Sequence, residues 1–363
     1  MAAFAADLWH EQAVLLTGHT GFKGAWLALW LAQLGARVTG YALPAPTDQP
    51  TVFGLANVAR DLVAHHEADL RDAARFAAVL DECNPRVILH LAAQPLVRLS
   101  YHEPRATFET NVAGVWNLLD AVRLRAKPCI VIIVTSDKCY ENVEQVWGYR
   151  ECDPMGGADP YSASKGVAEL VVASYRRSFF HPVKLAQHGV QLASVRAGNV
   201  IGGGDYAADR IVPDLVRALT AQQPVPVRNP RSVRPWQHVL EPLGGYLTLA
   251  ERMLAAPGPQ WCGGWNFGPA SGGECTVREL VERFIAAWGA GTWEDRSDPH
   301  AVHEAGVLRL CIDKAANELH WRPRWPLPET VRQTAAWYAT FARQAQADMR
   351  AVCLEQIRAY AAA

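Results

Sequence analysis

Thr17-Gly18-His19-Thr20-Gly21-Phe22-Lys23-Gly24 is the stretch that decides the fold. It follows a short apolar run, Ala13–Thr17, and leads into a helical pattern over Phe22–Leu34. The spacing is G-x-x-G-x-x-G. Gly18 can make a tight turn, Gly21 lets backbone approach a pyrophosphate, and Gly24 allows a helix to pack close on a strand. The helix N-terminus then presents N–H groups and a positive dipole to phosphate. In a strand–turn–helix setting near the start of a chain this spacing marks a dinucleotide site, with Gly18, Gly21, Phe22, Lys23 and Gly24 as the expected contacts.

Outward from that loop the chain alternates strand and helix. Strands are expected at Ala13–Thr17, Arg37–Leu43, Leu62–His66, Arg86–Ala92, Cys129–Thr135 and Gly189–Ala197. Helices are expected at Phe22–Leu34, Arg71–Cys83, Pro104–Arg125 and Tyr161–Phe180. The strands are near-continuous apolar runs, as when helices cover both faces of a parallel sheet. After Gly202-Gly203-Gly204 the rhythm loosens, with Pro213, Pro224, Pro226, Pro230 and Pro235 punctuating short pieces. Helical patterns return at Val277–Trp288, Lys314–Leu319 and Glu329–Phe341. The reading is an α/β protein: a Rossmann-like doubly wound parallel sheet with a smaller α/β substrate-binding lobe. Residues 1–202 with about 236–268 form the dinucleotide domain in this reading, about 203–235 with 269–345 the substrate lobe, and 346–363 a C-terminal tail.

Composition narrows the function classes. Of 363 residues, 50% are hydrophobic and 20% charged, which suits a globular chain and excludes a disordered one. Lys plus Arg is 35 against 36 for Asp plus Glu, a net charge of −1. No basic excess points to nucleic acid, so an anionic ligand has to be held by locally placed groups. The eight cysteines are scattered without a C-x-x-C, which argues against a zinc site or disulfide framework and for reduced thiols in the cytoplasm. Met1–Gln12 carries two acids and no Lys or Arg, unlike a signal peptide. The apolar runs Ala25–Ala32 and Cys129–Val134 are too short for a membrane span.

Cofactor type stays open between NAD and NADP at this level. The second strand ends Tyr41-Ala42-Leu43-Pro44, without the acid that would bind the adenosine ribose. Asp69 and Leu70, after the third strand, are candidates for the adenine side; Asp69 reads nearly as well as a cap for the Arg71–Cys83 helix. Tyr161-Ser162-Ala163-Ser164-Lys165 opens a helix and sets Tyr161 and Lys165 on one face. A phenol with a pKa near 10 needs a shift of about 3 units, about 4 kcal/mol, to act as a base near pH 7. An adjacent ammonium favours that shift. Thr135-Ser136-Asp137-Lys138 stands at the carboxyl end of the Cys129–Thr135 strand, where open parallel sheets bind ligands.

With these three pieces in register the chain resembles the extended short-chain dehydrogenase/reductase family. The resemblance is carried further by Ala92-Ala93-Gln94-Pro95-Leu96-Val97-Arg98, by Ser136-Asp137-Lys138-Cys139-Tyr140, by Arg196 through Asp205 and by Arg234-Pro235-Trp236-Gln237-His238-Val239. In detail the pattern is similar to that of the nucleotide-sugar 4,6-dehydratases. The resemblance implies a tightly bound NAD, with Ala92, Ala93 and Asn111 beside it, and Ser136, Tyr161 and Lys165 as the catalytic Ser/Thr, Tyr and Lys. It implies an internal redox dehydration of a nucleotide-activated hexose, CDP-glucose, in deoxysugar or O-antigen type biosynthesis. Asp137 would be the acid for the leaving hydroxyl and Lys138 the base for carbon 5. Asn199, Arg210, Arg228, Arg234 and His303 would hold the diphosphate, Val225–Arg228 the cytosine, and Gln94, Arg98 and Tyr149 the hexose. An epimerase of the same family would use Ser136, Tyr161 and Lys165 without an acid/base pair after the serine. The helices over Thr107–Arg125 and Ser162–Arg177 resemble those that form an intersubunit bundle, implying a homodimer or homotetramer.

Overall fold

The apolar runs pair with one another in a single parallel sheet. The computed structural model describes residues 4–270, 272–297, 307–344 and 346–363. The strands of this sheet are β1 Ala13–Thr17, β2 Arg37–Ala42, β3 Ala64–Glu67, β4 Val87–His90, β5 Cys129–Val134, β6 Val190–Ala197 and β7 Gly264–Phe267, and short pieces such as Val225–Val227 pair in small two-stranded sheets. Their order across the sheet is β7-β6-β5-β4-β1-β2-β3, and every neighbouring pair is parallel. The order reverses between β1 and β4, which opens a crevice at the carboxyl ends of the strands.

Alternation along each strand feeds two cores. Ile130, Ile132 and Val134 of β5 join one apolar cluster, while Cys129, Val131 and Ile133 join the other. The second cluster is closed by α2 Ala73–Cys83, α3 Gly114–Arg125 and α4 Pro160–Ser178. The first is larger and takes in α1 Phe22–Gln33, α5 Ile211–Thr220, α6 Leu240–Ala255, α7 Val277–Trp288 and α8 Leu327–Arg343. Most of the tryptophans serve here as packing anchors; Trp9, Trp26, Trp30, Trp265 and Trp337 are among the largest fully buried side chains.

The structure differs from expectation in five places, each for a physical reason. The single helix expected from Pro104 to Arg125 is interrupted by a π-helical turn, Glu109–Ala113, which turns Asn111 inward. α5 was hidden by Pro213, which sits in its first turn, where the missing N–H costs nothing. α6 is buried nearly all round, so it lacks the amphipathic period that marks a helix. β7 is a four-residue edge strand with no alternation to betray it. Residues 346–363 are no loose tail: α9, Met349–Ala362, buries Met349, Cys353, Ile357 and Tyr360 in the larger core.

Candidate active site

The glycine loop fits a dinucleotide. Gly18 has φ +74°, and a Cβ there would stand 2.7 Å from the Ala92 nitrogen. A Cβ on Gly24 would lie 2.1 Å from the Gly18 carbonyl oxygen, so α1 can approach the loop only with glycine at that position. Gly21 caps α1 with no side-chain hydrogen bond and no acid follows in the first turn, which leaves the helix N-terminus to an anionic group. This uncapped 12-residue helix behind a cradle that any Cβ would fill is what a pyrophosphate requires. Phe22 packs inward on the larger core. Ala92 N donates to the Thr17 hydroxyl at 3.2 Å, holding the 92–96 segment beside the loop, with Ala93 next to it half-buried. Asn111 accepts from Gln94 N and donates to Gln94 O and to the Ser164 hydroxyl, so it ties that segment to α4.

On the adenine side the structure removes the helix-cap alternative for Asp69. Asp72, not Asp69, caps α2 by accepting from Arg75 N at 2.9 Å. The Asp69 carboxylate is taken up by the backbone and guanidinium of Arg71. Leu70 is buried against Gly114 in the second core.

A cleft of about 300 Å³ opens beside the ends of β5 and β6, with Lys23, Ser136, Asp137, Lys138 and Tyr161 on its wall. Asp159 caps α4 through Ser162 N, and Tyr161 N donates to the Ser100 hydroxyl, which together set the entry angle of the catalytic helix. The Ser136 hydroxyl favours the ionised Tyr161 phenol, yet burial pushes it up to about 12. The sequence points to a lowered phenol; burial reverses the sign, with the Ser136 hydroxyl and the Arg210 charge opposing it. Lys165 lies 5.9 Å from the Tyr161 ring centroid, and burial brings its ammonium down to about 8. Lys23 is likewise held down to about 8, by burial and then by Arg210.

Asp137 is 3% exposed. Its Oδ1 accepts from the Ser136 hydroxyl at 3.0 Å, while Oδ2 finds no partner among the described residues. A Cβ at Gly198 would come within 2.1 Å of that Oδ2, so glycine there makes room for the carboxylate.

The same cleft gathers Asn199, Arg98, Arg210, Arg228 and Arg234. Arg210 pairs with Asp205 at 2.7 Å. Asp209 bridges Arg98, at 3.4 Å, and Arg228, at 2.6 Å. The Arg234 guanidinium donates to its neighbour's carbonyl, Val233 O, at 3.0 Å. Neither Asp205 nor Asp209 is a sequence candidate; the value of Asp209 lies in Arg98 and Arg228, which are distant along the chain, while Asp205 meets Arg210 five residues on.

Two of the substrate candidates do not line the cleft. Gln94 spends its amide on Leu96 and Thr107, so it braces its own segment. Tyr149 is buried, stacked on Tyr140 at 5.2 Å, and its hydroxyl donates to Asn142. His303 lies outside the described residues. In Val225–Arg228, Val225 N and Val227 O are engaged by Thr292 and Arg296, which limits what that strand can offer a base.

Residues 15–334 match a family model described as GDP-mannose 4,6 dehydratase. The chain is 49% identical over 338 residues to a CDP-glucose 4,6-dehydratase of Salmonella typhimurium, covering 93% of each chain. It is 31% identical to a dTDP-glucose 4,6-dehydratase of Streptomyces antibioticus, covering 90% of this chain and 92% of that one. A crystal structure of a dTDP-glucose 4,6-dehydratase from Streptomyces venezuelae with NAD bound has the same fold. It superposes with a TM-score of 0.74 at 24% identity, over 90% of this chain and 96% of that one. Glycine loop, Ser/Tyr/Lys set and matching family model agree: the chain belongs to the GDP-mannose 4,6 dehydratase family, within the extended short-chain dehydrogenase/reductases.

Proposed function

We propose that this protein dehydrates CDP-D-glucose to CDP-4-dehydro-6-deoxy-D-glucose with NAD held at the glycine loop. The observation that carries the reading is the placement of Asp137 and Lys138 on one cleft wall with Ser136 and Tyr161. An epimerase needs only the serine, tyrosine and lysine. The 49% identity to a CDP-glucose enzyme supports the choice of nucleotide.

Bound NAD would accept hydride from carbon 4 and return it at carbon 6. Tyr161, beside Ser136 on the cleft wall, takes the proton of the 4-hydroxyl. Its phenol stands at about 12, so a positive charge brought close on binding has to lower it. The 4-ketone acidifies the hydrogen on carbon 5. Lys138 removes that proton while Asp137, through its unpartnered Oδ2, protonates the 6-hydroxyl and water leaves. Lys138 then returns a proton to carbon 5. The diphosphate takes Arg210, Arg228 and Arg234 as its fork-shaped partners, exchanging with Asp205 and Asp209, and Arg98 is left for the hexose. A homodimer or homotetramer would bury the exposed Trp116, Leu124 and Leu170 on α3 and α4.

Incubation with CDP-, dTDP-, GDP- and UDP-hexoses, with NAD or NADP, tests the reading by a base-sensitive 4-keto product. CDP-glucose with NAD is expected to turn over. Asp137→Asn should lower product formation by roughly 100-fold while reduced cofactor still forms. Absence of CDP-glucose turnover by the wild-type protein would sink the assignment.

A further inference from the structure

We propose that Glu169 and Arg196 are positioning residues: one buried ion pair fixes both ends of the Ser136–Tyr140 strip against the catalytic helix and so sets the geometry of elimination. The inference rests on the dehydration reading above.

Tyr161, Lys165 and Glu169 follow one another at four-residue intervals along α4, so all three share a face. The Glu169 carboxylate, 4% exposed, accepts four hydrogen bonds. Thr135, the residue before Ser136, donates its hydroxyl at 2.5 Å. Ser194 donates at 2.7 Å from β6. Arg196 closes a two-pronged pair through Nε at 2.9 Å and Nη2 at 2.8 Å. Burial pushes Glu169 up, but the Arg196 charge and these hydrogen bonds outweigh it and keep the carboxyl below its ordinary range.

Arg196 carries the link to the other end of the strip. Its Nη1 donates to the Tyr140 hydroxyl at 2.6 Å, and its guanidinium lies 5.0 Å from the Tyr140 ring centroid. That hydroxyl in turn donates to Asn266 Oδ1 at 2.7 Å, anchoring it to β7. Thr135 and Tyr140 therefore bracket Ser136, Asp137, Lys138 and Cys139.

Inside the bracket the bonds donated by the turn's own backbone N–H groups are long, although Ser136 Oγ reaches Asp137 Oδ1 at 3.0 Å and Cys139 O accepts from Gly156 N at 2.9 Å. Lys138 N to the Ser136 hydroxyl is 3.2 Å, Cys139 N to Ser136 O is 3.3 Å, and Tyr140 N to Asp137 O is 3.4 Å. Bonds of that length hold a short turn weakly, whereas the anchors at its two ends are short and charge-assisted. A buried ion pair is also an inefficient source of stability compared with packed apolar side chains. Its placement at both ends of the acid/base strip assigns it to geometry. Ser136 is steadied mainly from Thr135, while Asp137 and Lys138 depend on both anchors. Loosening either end therefore slows elimination more than oxidation at carbon 4.

Two conservative changes test this in the NAD-loaded enzyme. Tyr140→Phe removes the hydroxyl link and leaves Arg196 Nη1 within 3.3 Å of Glu151 O. Thr135→Val removes one of the four bonds to Glu169, and Thr135→Ser restores it. The expected result for Tyr140→Phe and Thr135→Val is a kcat lowered by roughly 10- to 100-fold with KM for CDP-glucose within about twofold. Reduced cofactor should build up at 340 nm during turnover, exchange of the carbon 5 hydrogen with solvent should slow, and Thr135→Ser should recover the rate. Circular dichroism and urea unfolding establish that each variant is folded. Wild-type kcat in both variants overturns the inference, as does a loss of kcat without accumulation of reduced cofactor. A wild-type enzyme that forms no 4-keto sugar overturns the dehydration reading along with it.

Discussion

Lys23 and Lys165 show how much a single residue's surroundings decide. Burial holds both near 8, so each is cationic below that pH and neutral above it. Lys23 lines the cleft next to Arg210 and Asp137, where the diphosphate of the proposed substrate would lie. As pH rises through about 8 this charge is lost and the attraction for a dianion falls. KM for CDP-glucose should therefore rise roughly tenfold between pH 7 and pH 9. In Lys23→Met the rise should flatten from an already elevated KM. A wild-type KM that is level across this range contradicts the account. The motif marked Lys23 as a cofactor contact; the substrate cleft on its other side came only from the fold.

At the scale of elements, the loop between β1 and α1 depends on absent side chains. Gly24→Ala would force a Cβ to within 2.1 Å of the Gly18 carbonyl oxygen, a backbone atom that cannot swing aside. The helix would have to back away from the loop, weakening dinucleotide binding about tenfold or more. Titration of NAD fluorescence quenching measures this, and unchanged affinity in a folded Gly24→Ala protein refutes it. β1, β2, β4, β5, β6, α1 and α4 were legible because buried strands are continuous apolar runs and α1 and α4 begin at recognisable motifs. α5 and α6 were not, since a first-turn proline and all-round burial each remove the usual helical signal. Ser136, Asp137, Lys138 and Tyr161 were readable as short motifs and stand together on the cleft wall.

For the whole molecule, α9 closes the larger core through Glu241. That buried carboxylate accepts from Arg324 N at 2.9 Å, Trp325 N at 2.6 Å and the Tyr360 hydroxyl at 2.8 Å. Burial nevertheless raises it to about 7, against an ordinary 4.5. A carboxyl raised on folding contributes stability that is full below the unfolded value and is lost as pH rises through the folded one. The window is about pH 4.5 to 7, and the contribution is about 3 kcal/mol at most. Glu241→Gln should lower the pH dependence of the urea midpoint across that window. An unchanged slope would assign the effect to other groups.

By itself the sequence determined the alternating α/β order, the glycine loop and the Ser/Tyr/Lys set, because strand burial, tight turns and helical spacing are local properties of the chain. Only the tertiary structure decided which arginine meets which aspartate, that Gln94 and Tyr149 brace the scaffold, and that Glu169 and Arg196 grip both ends of the catalytic strip. The physical reason is that such contacts join residues far apart in sequence, and their strength depends on burial that only the assembled sheet and helices create.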